Sequence, residues 1–227
     1  MRILAIDTAT EALSVAVQYN DEIIDRFEVC PQQHSQKLLP MVDEVLGEAG
    51  LSLKQLDGLV FGRGPGSFTG VRIATGMVQG LAFGAQLPVV GVSTLAAMAQ
   101  QAITDENAQT VVSAIDARMS EVYFGQFSAQ DGLAVSSGGE QVCAPDIAAS
   151  MLPETSFHAV GTGWQAYEAL NRADDNIVKT QILYPHARHM LSLAAPEFAA
   201  GNTQDAMSVM PIYLRDKVTW KKLPGRE

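Results

Sequence analysis

The chain has 227 residues, 47% of them apolar and 18% charged, and a net charge of −10. That length allows one large domain or two small ones around a sizeable core, and the acidic balance argues against a surface that grips nucleic acid unaided, because phosphate binding relies on clustered Lys and Arg. Apolar stretches are broken well short of the roughly 20 residues of a membrane helix, and MRILAID offers too few apolar positions before Asp7 for a signal peptide, so a cytoplasmic protein with no membrane partner is expected.

In chain order, Ile3 to Asp7 reads as a strand, and Leu13, Val15 and Val17 alternate as a second. Asn20-Asp21 supplies a hairpin turn before a third strand, Ile23 to Val29. Leu38, Leu39, Val42, Val45, Leu46 and Ala49 recur at helix spacing, with Ser35 as N-cap and Gly50 as stop. Pro40 fits that helix in its first turn or at a kink. A strand Gly58 to Phe61, a long helix Ser67 to Gly84 and a strand Val89 to Val92 follow.

The second half repeats the opening. ILAIDTATEALSVAV has a counterpart in VVSAIDARMSEVYFG, residues 111–125. In both, an apolar strand ends Ala-Ile-Asp (Asp7, Asp116), and a Glu (Glu11, Glu121) precedes an alternating strand. Further elements are expected at Leu133 to Ser136 (strand), after Pro145 (helix), at His158 to Val160 (strand) and at Trp164 to Leu170 (helix). A helix from Arg188 to Ala200 would return the chain to the first half. A doubled βββαβα unit with an Asp closing each first strand is the plan of the actin-like, RNase H-like ATPase superfamily: an α/β fold with two subdomains. Residues 1–104 form the first and 105–186 the second; residues 187–227 hold the returning helix and a basic tail. Five of the fifteen basic residues (Arg215, Lys217, Lys221, Lys222, Arg226) fall in the last thirteen positions. Cys30 and Cys143, without metal-ligand spacing, read as buried small hydrophobes in a reducing compartment.

GRGPGSFTGVRIATG, Gly62 to Gly76, resembles a phosphate loop but lacks the Lys-Ser/Thr pair of a Walker loop. Pro65 and Phe68 sit badly in a dinucleotide turn. Ser67 caps the following helix, whose N-terminus attracts anions. At about 100° per residue, Thr69, Ile73, Gly76, Met77, Gly80, Leu81 and Gly84 share one face, and Val71, Ala74, Thr75, Val78, Ala82 and Ala85 the other. A helix apolar nearly all round is buried on both sides. The expectation is that the glycine face packs on its own sheet and the other face meets a partner subunit; a cover from the protein's own second domain is the alternative.

DTATEALSVAV, HSQKLLPMVDEVL, GRGPGSFTGVRIATG, LPVVGVSTL, IDARMSEVY, VGTGW and PIYLR, in order and along essentially the whole chain, resemble the TsaB family, also called YeaZ. The resemblance implies a non-catalytic relative of TsaD that helps it, with the ATPase TsaE, to make N6-threonylcarbamoyladenosine at position 37 of tRNAs reading codons that begin with A. In TsaD a His-x-x-x-His pair binds the catalytic metal; the matching positions here are Thr94 and Met98. The Gly that follows the Asp in actin-like phosphate turns is missing after Asp7 and Asp116, where Thr8 and Ala117 stand. His34, His158, His186 and His189 are scattered, and no carboxylate sits near the last two at ligand spacing. No catalytic residue, metal or cofactor is therefore expected. Thr8, Thr10, Ser67 and Arg118 remain as anion contacts at an interface. The expected partner interface joins Ser35, Leu38, Leu39 and Val42 to Val71, Ala74, Thr75, Val78 and Ala82, docking on TsaD or, without it, on a second copy in a homodimer. tRNA is then reached only through the complex. Ala74, where the family usually has Gly, alters packing detail. An independent actin-like ATPase or small-molecule kinase is the competing reading, and a metallopeptidase a more distant one.

Overall fold

The computed structural model describes residues 1–20, 22–171 and 176–215, and its strands form two five-stranded sheets of one plan. The hairpin expected at Asn20-Asp21 falls partly outside these residues, and the lysine-rich tail after Arg215 wholly so. The first half runs β1 (Ile3–Asp7), β2 (Ala12–Tyr19), β3 (Glu22–Val29), α1 (His34–Glu48), β4 (Gly58–Gly62), α2 (Phe68–Ala85), β5 (Val89–Val92) and α3 (Thr94–Glu106). The second runs β6 (Thr110–Asp116), β7 (Val122–Gln130), β8 (Leu133–Cys143), α4 (Pro145–Ser150), β9 (Phe157–Val160), α5 (Gly163–Ala166), β10 (Ile177–Lys179) and α6 (Ala187–Ala200). Sheet orders are β3-β2-β1-β4-β5 and β8-β7-β6-β9-β10, so the halves correspond strand for strand. In each, an antiparallel meander is extended by parallel strands reached through helices. The duplicated unit is thus one strand and one helix longer than the pattern of the sequence suggests.

Alternation along β1 sorts its side chains between two cores. Leu4 and Ile6 pack with α1 and α2, whereas Ile3 and Ala5 pack with α6. α3 covers the second sheet through Leu95, Met98 and Ala102, and α4 and Trp164 of α5 cover its other face. α3 and α6 touch each other and fill the space between the sheets.

Several expected elements shift. α1 begins at His34, with Ser35 inside the first turn rather than at the cap, and Pro40 sits within the helix. The helix expected from Trp164 to Leu170 is the short α5 followed by a 3₁₀ turn at Glu168–Leu170, separated by Tyr167 in an extended conformation. β8 runs far beyond Ser136. Ser67 does cap α2, its Oγ accepting from Gly70 N at 3.3 Å.

α2 reverses the expected orientation. Val71, Ala74, Val78 and Ala82 are 0–2% exposed, and the last three belong to the first core; Thr75 is buried and donates to Val71 O. Leu38 and Val42 of α1 join the same core. Gly76, Gly80 and Gly84 face outward, where an added Cβ would meet nothing within 4 Å. Of the expected interface residues, only Ser35 and Leu39 are exposed. The physical reason is volume: branched side chains fill the space above β4, while the glycine stripe cannot.

Candidate functional site

The two Asp turns lie at equivalent strand ends and differ in most of their contacts. Asp7 is fully buried; its Oδ1 accepts from Ala9 N at 2.9 Å, and its Oδ2 has no partner among the described residues. Burial pushes its carboxyl up to about 7, against a smaller downward pull from the Ala9 N–H. The segment from Gly62 to Gly70 lies directly on this turn. Ser67 N donates to Ala9 O at 2.7 Å, and Thr8 Oγ1 donates to Gly70 O at 2.7 Å. A Cβ at Gly66 would stand 2.3 Å from Ala9 O, and one at Gly70 2.1 Å from Thr8 O. These glycines permit backbone to approach backbone. They cradle the β1–β2 turn.

Thr8 and Thr10 are therefore corrected as anion contacts. Both are buried, Thr8 Oγ1 being used on Gly70 O and Thr10 Oγ1 on Ala12 N. Ser67 is exposed, but its Oγ is engaged by the cap.

The turn after Asp116 is open. Asp116 Oδ1 accepts from Arg118 N at 2.9 Å and from the Tyr167 hydroxyl at 2.8 Å, and Oδ2 pairs with Arg118 Nη1 at 3.2 Å. Burial, helped by the bond to Asp116, pushes the Tyr167 phenol up to about 12. Arg118, Met119 and Ser120 are all left-handed, at φ of 59°, 57° and 58°, a conformation that costs about 1–2 kcal/mol per L-residue. Arg215 holds the turn from across the molecule. Its Nε and Nη2 donate to Glu121 Oε2 at 3.1 and 2.6 Å, and its Nη1 donates to Ala117 O at 3.1 Å. Arg118 itself stays 75% exposed and reaches Glu11 Oε1 at 3.2 Å.

Arg215 ends a strap that begins past α6. Gln204 bridges Val89 on the edge of β5, Gln79 Nε2 donates to Val209 O, and Ile212 N donates to Arg63 O at 2.8 Å. Tyr213 then meets Phe68 and Arg72 on α2. The strap thereby ties the glycine segment of the first half to the Asp116 turn of the second. PIYLR marks this strap in the sequence, but nothing in its spacing reveals what it touches.

Thr94 and Met98 are fully buried at the start of α3, and the Thr94 hydroxyl has no partner among the described residues. No carboxylate stands at ligand spacing from His186 and His189 in the sequence, but the fold brings one to each ring. His186 Nε2 stands 3.2 Å from Asp25 Oδ2, and His189 Nε2 3.5 Å from Asp105 Oδ2. These acids come from β3 and from α3, far away in the chain. Each ring meets its own carboxylate, and no group of three metal-ligating side chains converges among the described residues. Burial favours the neutral form of both rings, holding His189 down to about 4. No helix among the described residues is long and apolar enough to cross a membrane.

The outward face of the first half is formed by α1 and α2, which touch each other. It presents Ser35 and Leu39 from α1 and the Gly76, Gly80, Gly84 stripe from α2, flanked by half-buried Ile73 and Met77.

A family model described as TsaD, tRNA N6-adenosine threonylcarbamoyltransferase, matches residues 26–223. The chain is 47% identical to the tRNA threonylcarbamoyladenosine biosynthesis protein TsaB of Haemophilus influenzae, over 100% of this chain and 99% of that protein. It is 46% identical to the TsaB of Escherichia coli over the full length of both. The solved YeaZ from Pseudomonas aeruginosa aligns with a TM-score of 0.87 and 44% identity, covering 94% of this chain and 99% of that one. With the doubled sheets and the two Asp turns, these likenesses make the chain a member of the TsaB (YeaZ) family of tRNA threonylcarbamoyladenosine biosynthesis, built on the actin-like, RNase H-like fold.

Proposed function

We propose that the chain is a subunit without chemistry of its own, which binds and activates TsaD, together with TsaE, for threonylcarbamoyl transfer to adenosine 37 of tRNAs reading codons that begin with A. The observation that carries this reading is the outward glycine stripe on α2. An exposed helical Gly costs about 0.5–1 kcal/mol relative to Ala, and among the described residues the space above Gly76, Gly80 and Gly84 is empty. Such smallness suits a second helix pair approaching from outside. The buried Asp7 turn supports the absence of nucleotide turnover, because no phosphate or cation can reach that carboxylate without moving the Gly62–Gly70 segment.

In this reading Ser35, Leu39, Ile73, Gly76, Met77 and Gly80 form the contact, and the face built from Leu38, Val42, Val71, Ala74, Thr75, Val78 and Ala82 supports it from beneath. Residues 1–104 are the unit that docks, 105–186 the second unit, and 187–227 the segment that returns. The same face would pair two copies into a homodimer when TsaD is absent, and the complex would act in the cytoplasm, where its tRNA substrate is found.

Gly80→Glu tests the reading. It should leave circular dichroism and thermal unfolding of the monomer unchanged, yet abolish both co-elution with TsaD and the homodimer, as measured by size exclusion with light scattering. Val78→Glu should instead unfold the protein, since a charge there is buried without a partner. Unaltered TsaD binding by Gly80→Glu overturns the proposed face.

A further inference from the structure

A groove of about 410 Å³ runs between the edge of β5 and the β7–β8 hairpin, where the two halves of the molecule face each other. Its size lies within the range of small-molecule sites, about 300–1,000 Å³. Arg63 enters it from the first half. The Arg63 backbone is fixed on both sides, its N–H donating to Val92 O at 2.9 Å and its carbonyl accepting from Ile212 N at 2.8 Å. The half-buried guanidinium, by contrast, makes no hydrogen bond or ion pair among the described residues. Its N–H donors, set in a planar fork, line the groove unpaired.

Glu140 enters from the second half, on β8 beside the irregularity at Gly125/Phe127. Its Oε1 accepts from the Ser93 hydroxyl, which itself accepts from Leu95 N and Ala96 N and so caps α3. Its Oε2 has no hydrogen-bond partner among the described residues. Burial pushes the Glu140 carboxyl up, and the Ser93 hydroxyl and Arg63 pull it back down. Arg63 is therefore near enough to act on this carboxylate, yet the two form no ion pair. Holding opposite charges half-buried and apart forfeits their direct attraction, and a third group that carries both signs restores it. A second carboxylate, Glu197 of α6, lies on the same groove and accepts from Asn202, while Phe127 and Leu193 supply an apolar wall.

We propose that this groove binds a zwitterionic α-amino acid, whose carboxylate takes the Arg63 fork and whose ammonium takes Glu140 Oε2. A guanidinium receives a carboxylate through two parallel bonds, and an ammonium offers three donors to an acceptor such as Oε2. The pairing of charges selects this class over simpler ones. A bare anion would satisfy Arg63 and leave Glu140 facing a like charge, and a bare cation would do the reverse. The phosphates of a nucleotide would meet both Glu140 and Glu197. The site goes beyond the subunit role. It joins one residue of each half, so a bound amino acid would tie the two sheets together.

The test uses the full chain without TsaD. Titration calorimetry and the nuclear magnetic resonance signals of arginine Nε–H groups follow the addition of free glycine, serine, leucine, lysine and glutamate. Acetate and methylammonium, each carrying one half of the zwitterion, are added at equal concentration. At least one amino acid should bind at about millimolar strength or tighter, shift the Arg63 signal and raise the unfolding midpoint; neither half-ligand should do so. Arg63→Ala and Glu140→Gln should each weaken binding by about tenfold or more. Glu140→Gln keeps an oxygen for the Ser93 hydroxyl, so the cap of α3 survives. Arg63→Lys, which retains the charge but loses the fork, should fall between Arg63→Ala and wild type. Lys179→Ala, an exposed cation on the second sheet, should change nothing. Circular dichroism checks each fold, and if Arg63→Ala is misfolded, Arg63→Lys and Glu140→Gln carry the test. No binding by any of the five at about 10 mM, acetate binding as tightly as the amino acids, or undiminished binding in Arg63→Lys and Glu140→Gln overturns the proposal. None of these readouts involves TsaD, so failure here and failure of the proposed TsaD face give different results.

Discussion

The turns that follow Asp7 and Asp116 occupy matching places in two copies of one plan, and they have diverged in opposite directions. The first has been filled from within the chain: a neighbouring segment rich in glycine lies on it, excludes solvent and leaves a carboxylate oxygen without a partner. The second stays at the surface in a costly left-handed form, held by an arginine nearly a hundred residues away. Duplication thus supplied two similar pockets of backbone. One has become core, and its cost is a buried acid; the other has become a fastening point, and its cost is backbone strain.

The largest effect expected from this difference is electrostatic. With Asp7 raised to about 7 when folded and near 3.9 when unfolded, the folded state holds a proton that the unfolded state has released between those values. Stability should therefore fall as pH rises through that window and stay level above it, by about 4 kcal/mol in total. His189, held neutral down to about 4, acts with the opposite sign and loses stability as pH falls below 6.5. Urea unfolding of wild type and Asp7→Asn across pH 4–8 separates the two: the variant should gain on wild type as pH rises. Parallel curves would show that Asp7 is not buried as described.

Backbone packing comes next. Gly70→Ala places a methyl group 2.1 Å from Thr8 O and should cost about 3 kcal/mol, although the same change in a helix ordinarily stabilises by about 1 kcal/mol. Gly80→Ala on the open face should show that ordinary gain. Equal effects at the two positions, read from denaturant midpoints, would mean that the glycine segment does not seal the first turn.

The smallest effect belongs to the second turn. Arg215→Ala removes its fastening and should cost about 1 kcal/mol, since losing the bonds is offset by relief of left-handed strain. Hydrogen exchange at residues 117–121 should quicken while residues 7–10 remain protected. Faster exchange at both turns would show that the strap supports the whole cleft.

The doubling itself is legible in two Ala-Ile-Asp strand ends and the alternation after them. β10 escapes because Ile177–Lys179 is too short to show a period. α2 is recognisable as a helix, but not which way it faces, because residues of similar polarity surround it. Periodicity measures how apolar a face is; here the deciding quantity is side-chain volume, and the face without volume is left outside. The histidine–aspartate pairs and the grip of Arg215 join residues far apart in the chain, and no local spacing records them. A missing lysine is enough to argue against a phosphate loop at Gly62–Gly70, yet what that segment covers becomes visible only once β4 lies beside β1.

The position of α6 also bears on how the protein is made. Its Ala187, Met190, Leu191 and Ala194 complete a core begun by Ile3, Ala5, Val60 and Val92. A ribosome adding roughly 5–20 residues per second spends about 5–20 seconds on the stretch between Val92 and Ala187. Throughout that interval one side of the first sheet has no cover, so the nascent chain passes through a stage in which its oldest strands are its stickiest surface. Translation speed across the second half, rather than any bond in the finished molecule, then decides how long that surface stays uncovered.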